Sequence, residues 1–186
     1  MGFISSLFGK SNPTGRWAEN TGVPLELNLD THTLSGAALG SPLDQISFLG
    51  PARLSQVRGI NSFEFPSKGL AIDADRDLRI ESFIIFFAAQ VQEGFRPFVG
   101  RVLHKGQTLA LGAQFSENSI VREFGEPYWR EQDEDEILLF YEFGLVEWQF
   151  EISLSGAVNA LVIGPPLLAD PEQRQAYGVT KDWPAR

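Results

Sequence analysis

The sequence predicts an α+β fold of two tandem repeats, each a short helix plus an antiparallel β-meander, with a short C-terminal helix. Three observations predict it. Residues 41–50, SPLDQISFLG, carry the start, the apolar face and the stop of one short helix. Residues 116–125, SENSIVREFG, repeat that plan about 75 positions later. After each, short apolar runs separated by turn residues read as antiparallel strands.

In the first segment Ser41 is placed to cap, Pro42 fills the first helical position where its missing N–H is harmless, and Asp44 completes an S-x-x-D box. Leu43, Ile46, Phe48 and Leu49 make the buried face, and Gly50 supplies the stop. One offset also lays Thr33 and Leu34 on Thr108 and Leu109, Ala38 on Ala113, Phe65 on Phe140, Gly69 on Gly144 and Leu70 on Leu145. A single register linking helix start, helix stop and hairpin glycine is the signature of an internal repeat.

The intervening elements follow in order. Leu25, Leu27 and Leu29 alternate with polar residues, as in a half-buried strand or an extended entry segment. Residues 51–61 read as a turn region. Strands are then expected at 63–65, 70–72 and 78–89, separated by PSKG and DADRD. The run FIIFFAA, residues 83–89, is apolar on both faces, so it belongs in a central strand covered on both sides, or where the two units meet. QVQEGFRP turns the chain, and an extended pattern restarts at 98–103.

In the second unit EILLFYEF, Gly144 and LVEWQFEIS form a hairpin, and SGAVNALVI returns as a further strand. Val146, Trp148, Phe150 and Ile152 point to one face, and Glu147, Gln149 and Glu151 to the other, which is expected to be solvated or a binding surface. Asp170, Pro171 and Gly178 cap, open and stop a terminal helix, DPEQRQAYG. Trp183 beyond it is either a clamp on the body or an exposed contact. The organisation is therefore 1–24, an N-terminal amphipathic segment and linker; 25–97, the first repeat; 98–164, the second; and 165–186, a tail with a short helix. Within 1–24, Phe3, Ile4, Leu7 and Phe8 form an apolar face for docking on the body or a partner, Gly2 and Ser6 also match a loose myristoylation pattern, and Trp17 is a possible anchor.

Gly40-Ser41 through Gly50-Pro51, and Ser116 through Gly125-Glu126-Pro127, frame their helices with Ser before and Gly/Pro after. With the β-meander that follows, this pattern resembles the repeats of β-lactamase inhibitor proteins and related small outer-membrane assembly lipoproteins. The resemblance covers most of 25–163 and implies two tandem units whose paired sheets form a concave surface that grips a protein. Fold likeness does not carry a target with it.

The formal charge of −9 and a pI near 4.7 argue against direct binding to nucleic acid or anionic membrane by field repulsion and favour a basic partner. No apolar run reaches a membrane span, and Lys10 follows the first apolar stretch, the wrong order for a secretory signal. The absence of cysteine removes disulfides, thiolate nucleophiles and zinc thiolate sites, and suits a reducing, cytoplasmic setting.

No cofactor or metal is expected. Asp73, Asp75 and Asp77 imitate the opening of a calcium loop, yet Leu78 and Ile84 stand where its glycine and closing glutamate belong. His32 and His104 have no further ligands at useful spacing. Nothing matches a nucleophile elbow or phosphate loop, so a non-enzymatic protein-binding role is expected, either an acidic inhibitor or immunity-type protein or an assembly component. Candidate contacts are Tyr128 and Trp129, the acidic residues Asp133, Glu134 and Asp135 in a loop, and Glu147 and Glu151 on the sheet.

Overall fold

The computed structural model describes residues 12–57, 60–89, 94–112 and 115–183. The expectations for Phe3, Ile4, Leu7 and Phe8, for Gly2 and Ser6, for the turn at 90–93 and for Ala113 fall outside these residues.

The α+β architecture of helix-plus-meander repeats is not what forms. The chain is mostly β, in a five-stranded and an eight-stranded sheet, with helical residues confined to brief segments. In chain order the strands are β1 (Glu26–Asn28), β2 (Thr33–Leu34), β3 (Ala37–Ala38), β4 (Arg53–Val57), β5 (Ile60–Phe65), β6 (Leu70–Ala74) and β7 (Ile80–Phe86). The second half adds β8 (Arg101–His104), β9 (Gln107–Leu109), β10 (Trp129–Gln132), β11 (Glu136–Glu142), β12 (Glu147–Ser153) and β13 (Val158–Gly164). The α-helices are α1 (Glu117–Phe124) and α2 (Pro171–Ala176), and Leu43–Leu49, Pro66–Lys68 and Leu167–Ala169 are 3₁₀ turns.

Two physical reasons account for the difference. The stretch opening at Leu43 is seven residues long and broken at Ile46 (φ −103°, ψ 17°), so it winds as a kinked 3₁₀ segment. Ser41 does not cap it: its hydroxyl accepts from Ala38 N (3.2 Å), while Leu43 N and Ile80 N bond across to Leu78 O and Ser41 O. By contrast Ser116 caps α1 as expected, accepting from Ser119 N at 3.3 Å. The second reason is strand length. β2, β3 and β9, of two or three residues, are too short to show a period, yet with β1 and β8 from the extended stretches they complete the small sheet, and β4 forms within the region expected to be a turn.

The large sheet runs β10-β11-β12-β13-β7-β6-β5-β4, all antiparallel. β7 and β13 meet at its centre, where Ile85 faces Leu161 and Phe83 faces Ile163. The FIIF run thus occupies the central, doubly covered strand. In the small sheet, β3-β2-β1-β8-β9, β1 and β8 are parallel and residues 75 apart pair directly: Glu26 with Arg101, Leu27 with Val102, Asn28 with Leu103. The main core fills the space between the sheets. Phe63, Ile72, Phe83, Trp148 and Phe150 of the large sheet meet Leu27 and Leu34 of the small one, with Ile46 and Ile120 of the helical segments between them. Burying side chains of this size contributes about 1.5–3 kcal/mol each.

Residues 12–17, expected to be part of a linker, are instead held on the body. Thr14 is fully buried, its Oγ1 accepts from Ala52 N (2.9 Å), and Trp17 packs on the core.

One glycine is a close-approach requirement. Gly69 closes the β5–β6 turn at φ +66°, and a Cβ there would overlap Phe98 N, Arg96 O and Pro97 C of the segment that crosses it. Gly69→Ala is expected to lower the unfolding free energy by about 3 kcal/mol or more, read from urea midpoints. Gly156→Ala, at φ +91° with open space around it, is expected to cost about 1–2 kcal/mol, the left-handed backbone penalty alone. Equal losses at the two sites would refute the close-approach account.

Candidate functional site

The second face of the large sheet is where the alternation of β12 placed Glu147 and Glu151. It is not an open, solvated surface. At its middle Ala71, Phe86 and Ala160 lie under Phe95, with the Phe86 and Phe95 rings 4.5 Å apart. The Arg53 guanidinium sits over Phe95 and its Nε is paired with Glu64, which also accepts from Ser55 Oγ at 2.8 Å. Toward β10 and β11, the tail after Gly164 folds back over the sheet. Leu168 and Tyr177 cover Leu138 and Phe140, with Tyr177 edge-on to Phe140 at 5.3 Å.

Glu147 fastens this tail. It is only 4% exposed, and its two carboxylate oxygens accept from Leu167 N and Leu168 N, each at 3.2 Å. The carboxylate therefore closes the amino end of the Leu167–Ala169 turn, whose amide groups would otherwise lack partners. Burial pushes the Glu147 carboxyl up to about 7, the two amide bonds pull it down, and Glu142 adds to the rise. Glu151, half-buried on the same face, is also pushed up to about 7, by burial first and by Glu136 second.

Tyr128 and Trp129, expected as partner contacts, instead hold the same tail. Trp129 opens β10 and donates from Nε1 to Tyr177 O (3.1 Å). Tyr128 donates to Lys181 O (3.2 Å), Lys181 Nζ donates back to Tyr128 O (3.1 Å), and the Tyr128 ring lies edge-on to Trp183 at 5.2 Å. Trp183 is thus the clamp of the two roles foreseen for it. Asp170 accepts from Glu172 N (2.8 Å) and caps α2.

The acidic run is not a long loop. Its ends belong to β10 and β11, leaving Asp133, Glu134 and Asp135 exposed at a tight turn. Asp133 Oδ1 accepts from Asp135 N (2.8 Å) and Glu136 N (2.9 Å), which fixes the turn and lowers the Asp133 pKa. Burial raises the neighbouring Glu131 and Glu136, and the charge of Asp133 adds to it. The structure therefore separates the candidate residues into an exposed acidic turn, Asp133 to Asp135, a set engaged in holding the tail, Tyr128, Trp129 and Glu147, and Glu151, half-buried on the sheet face.

The other clusters resolve locally. Asp75 Oδ1 accepts from Asp77 N and Arg79 N in a turn, and Asp73 accepts from Ser82 Oγ (3.0 Å). Among the described residues no group of three His, Asp or Glu is arranged for a metal ion. His104 Nδ1 lies 2.7 Å from Asp30 without hydrogen-bond alignment, and its ring rests on Phe124. Sequence reasoning missed an aromatic group at the β11–β12 turn, where His32 and Phe143 pack on Trp148. Burial lowers the His32 pKa. Phe143 and Leu145 stay exposed there, the latter at 87%. That pair of apolar residues flanking Gly144 was the available signal.

Fold and surface define a mostly β, two-sheet protein with a braced acidic turn and a sheet face closed by its own tail. No family model matches the chain, and no curated protein matches it. Solved structures similar to it include the two that follow. One is a DUF4309 family protein, YjgB, of Bacillus subtilis (13% identity, 72% of this chain and 84% of that one, TM-score 0.47). The other is a cysteine-rich secretory protein, SAV1118, of Staphylococcus aureus (14% identity, 73% of this chain, TM-score 0.46), of which this chain spans about half, 47%. Among the described residues no helix is long and apolar enough to cross a membrane.

The raised carboxyls set a pH dependence. Glu147 and Glu151 go from an ordinary value of 4.5 to about 7 in the fold, so the folded state binds more protons than the unfolded one between those values. Their contribution is present in full below about pH 4.5 and is lost as pH rises through about 7. The melting temperature is expected to fall by about 3–8 °C from about pH 5 to about pH 8, with Glu151→Gln flattening the slope. A melting temperature that rises over this interval in the parent chain would contradict the assignment.

Proposed function

We propose that this chain is a non-enzymatic binding protein that engages a basic protein partner, acting as an acidic inhibitor or immunity-type protein. The observation that carries this reading is the placement of charge. On a chain of net charge −9, Asp133, Glu134 and Asp135 stand exposed together on a turn whose backbone is already fixed by the Asp133 carboxylate. A pre-fixed turn gives up little backbone freedom on binding, and a concentrated negative field accelerates encounter with a cationic surface. Tyr128, Trp129 and Glu147 are engaged in holding the tail, so contact with the partner falls to the acidic turn.

The test is capture of a partner by the immobilised chain, followed by affinity measurement in a salt series. Raising salt from about 0.1 to about 0.5 M is expected to weaken binding by roughly tenfold or more, chiefly through the association rate. Glu134→Lys combined with Asp135→Lys is expected to weaken it by about tenfold at low salt while leaving the melting temperature within a few degrees. A captured partner whose affinity ignores both salt and these reversals would sink the proposal.

A further inference from the structure

After Gly164 the chain leaves the sheet through Pro165 and Pro166, which have no N–H to offer a ladder, and the tail lies back across the β10–β12 end of the second face. It is lightly held. Of the described tail residues only Leu168 is buried, while Leu167, Tyr177, Val179 and Trp183 are half-buried. The fastenings sit toward its two ends: Glu147 on the amides of Leu167 and Leu168, then Trp129 on Tyr177 O and Tyr128 on Lys181 O. A segment with one buried apolar side chain belongs to the part of a fold that opens locally, without global unfolding.

The ground beneath the tail is acidic. Glu131, Glu136, Glu147 and Glu151 all bear electrostatically on Tyr177, whose ring lies edge-on to Phe140. Glu151 stands between Leu138, under the tail, and Ala160, under Phe95, and accepts no hydrogen bond among the described residues. Glu136 bears on it, as Glu142 bears on Glu147. The cations of the elements packed here are engaged elsewhere: Arg174 donates to Leu168 O and Ala169 O within the tail, Lys181 donates to Tyr128 O, Arg130 is paired with Glu117, and Arg53 with Glu64. The other charges of the tail, Asp170, Glu172 and Asp182, are acidic, and Asp170 is turned to Glu172 N. Burial on this face therefore keeps the proton on Glu147 and Glu151 up to about 7, against an ordinary value of 4.5.

We infer that residues 165–183 are a proton-controlled strap, docked on the sheet face while Glu147 and Glu151 are protonated and lifted from it, with the rest of the fold intact, when they ionise. The docked form holds protons that the lifted form releases to water, so docking is favoured at low pH and lost as pH rises through about 7. The two amide bonds to the Glu147 carboxylate oppose the release, and Glu151, which has none, supplies the larger share of the drive. Lifting bares Leu138 and Phe140 on β11, the strand that leaves the Asp133–Asp135 turn, with Glu151 beside them, so the acidic surface widens as the strap departs.

The test is amide exchange on the full-length ¹⁵N-labelled chain between about pH 5.5 and about pH 8, read as protection factors so that the intrinsic exchange rate drops out. Those of Leu167, Leu168 and Tyr177 are expected to fall by about tenfold or more, and the Trp129 indole N–H with them, while Ile85 and Leu161 at the sheet centre keep theirs within about threefold. The midpoint is expected near pH 7. Glu151→Gln is expected to cut the fall to about threefold or less, and Glu147→Gln, the second variant, to reduce it as well. Tail and centre losing protection in step would overturn the strap in favour of global unfolding. Tail amides equally protected across the range, or a fall unchanged in both variants, would overturn it too.

Discussion

The β7–β13 seam is the constraint on which the rest of the fold depends. It is a single antiparallel pairing, and through it the four strands of each half become one sheet. Along the row from Phe65 through Leu70, Ile85, Leu161 and Phe150 to Leu139, every residue is buried and each is opposite the next. A slip of one position at the seam would turn Ile85 and Leu161 out of the main core and bring Ile84 and Val162 in. The parallel β1–β8 contact reinforces the register from the other sheet, because it brings the same two halves together at a second place.

A continuous sheet of eight strands has two faces to account for, and the halves solve this unequally. The main core takes one face. On the other, Phe95 seals the centre, and the tail after Gly164 seals the β10–β12 end through Leu168, Tyr177 and the Trp129 hydrogen bond. The Glu147 carboxylate is what allows the tail to begin there, since it gives the buried amides of Leu167 and Leu168 an acceptor. Its cost is a carboxyl held away from water, visible in the upward displacement of its proton affinity.

What the sequence revealed tracks the length over which a pattern runs. β11, β12 and β13 are seven residues each, and their alternation and turn glycines were readable. So was β7, because an apolar run on both faces has few places to go, and α2, because Asp170 and Pro171 write its start. In the small sheet β1 and β8 lay within stretches read as extended, while β2, β3 and β9 were hidden, since two or three residues such as Thr33–Leu34 carry no period. β4 was hidden because RLSQV mixes two apolar residues with three polar ones, without alternation, on an edge. Ser41 had the right neighbours for a cap, but its oxygens were claimed by Ala38 and Ile80, a competition set by the β6–β7 turn far along the chain. Of the candidate contacts, the exposed turn at Asp133–Asp135 was legible from composition. The roles of Glu147, Tyr128 and Trp129 were not, because alternation tells which side a residue faces and not whether a distant tail lies on that side.

The central position of β7 bears on how the molecule comes into being. A ribosome delivers the N-terminal strands first, so β4 to β7 can pair among themselves while β13 has yet to emerge. Until it does, the growing sheet ends in Phe83, Ile84, Ile85 and Phe86 with one row of amides and carbonyls unanswered, an edge of the kind that recruits strands from neighbouring chains. The mature protein conceals its most adhesive strand at the midline, and the nascent one carries that strand bare for the time it takes to translate the second half.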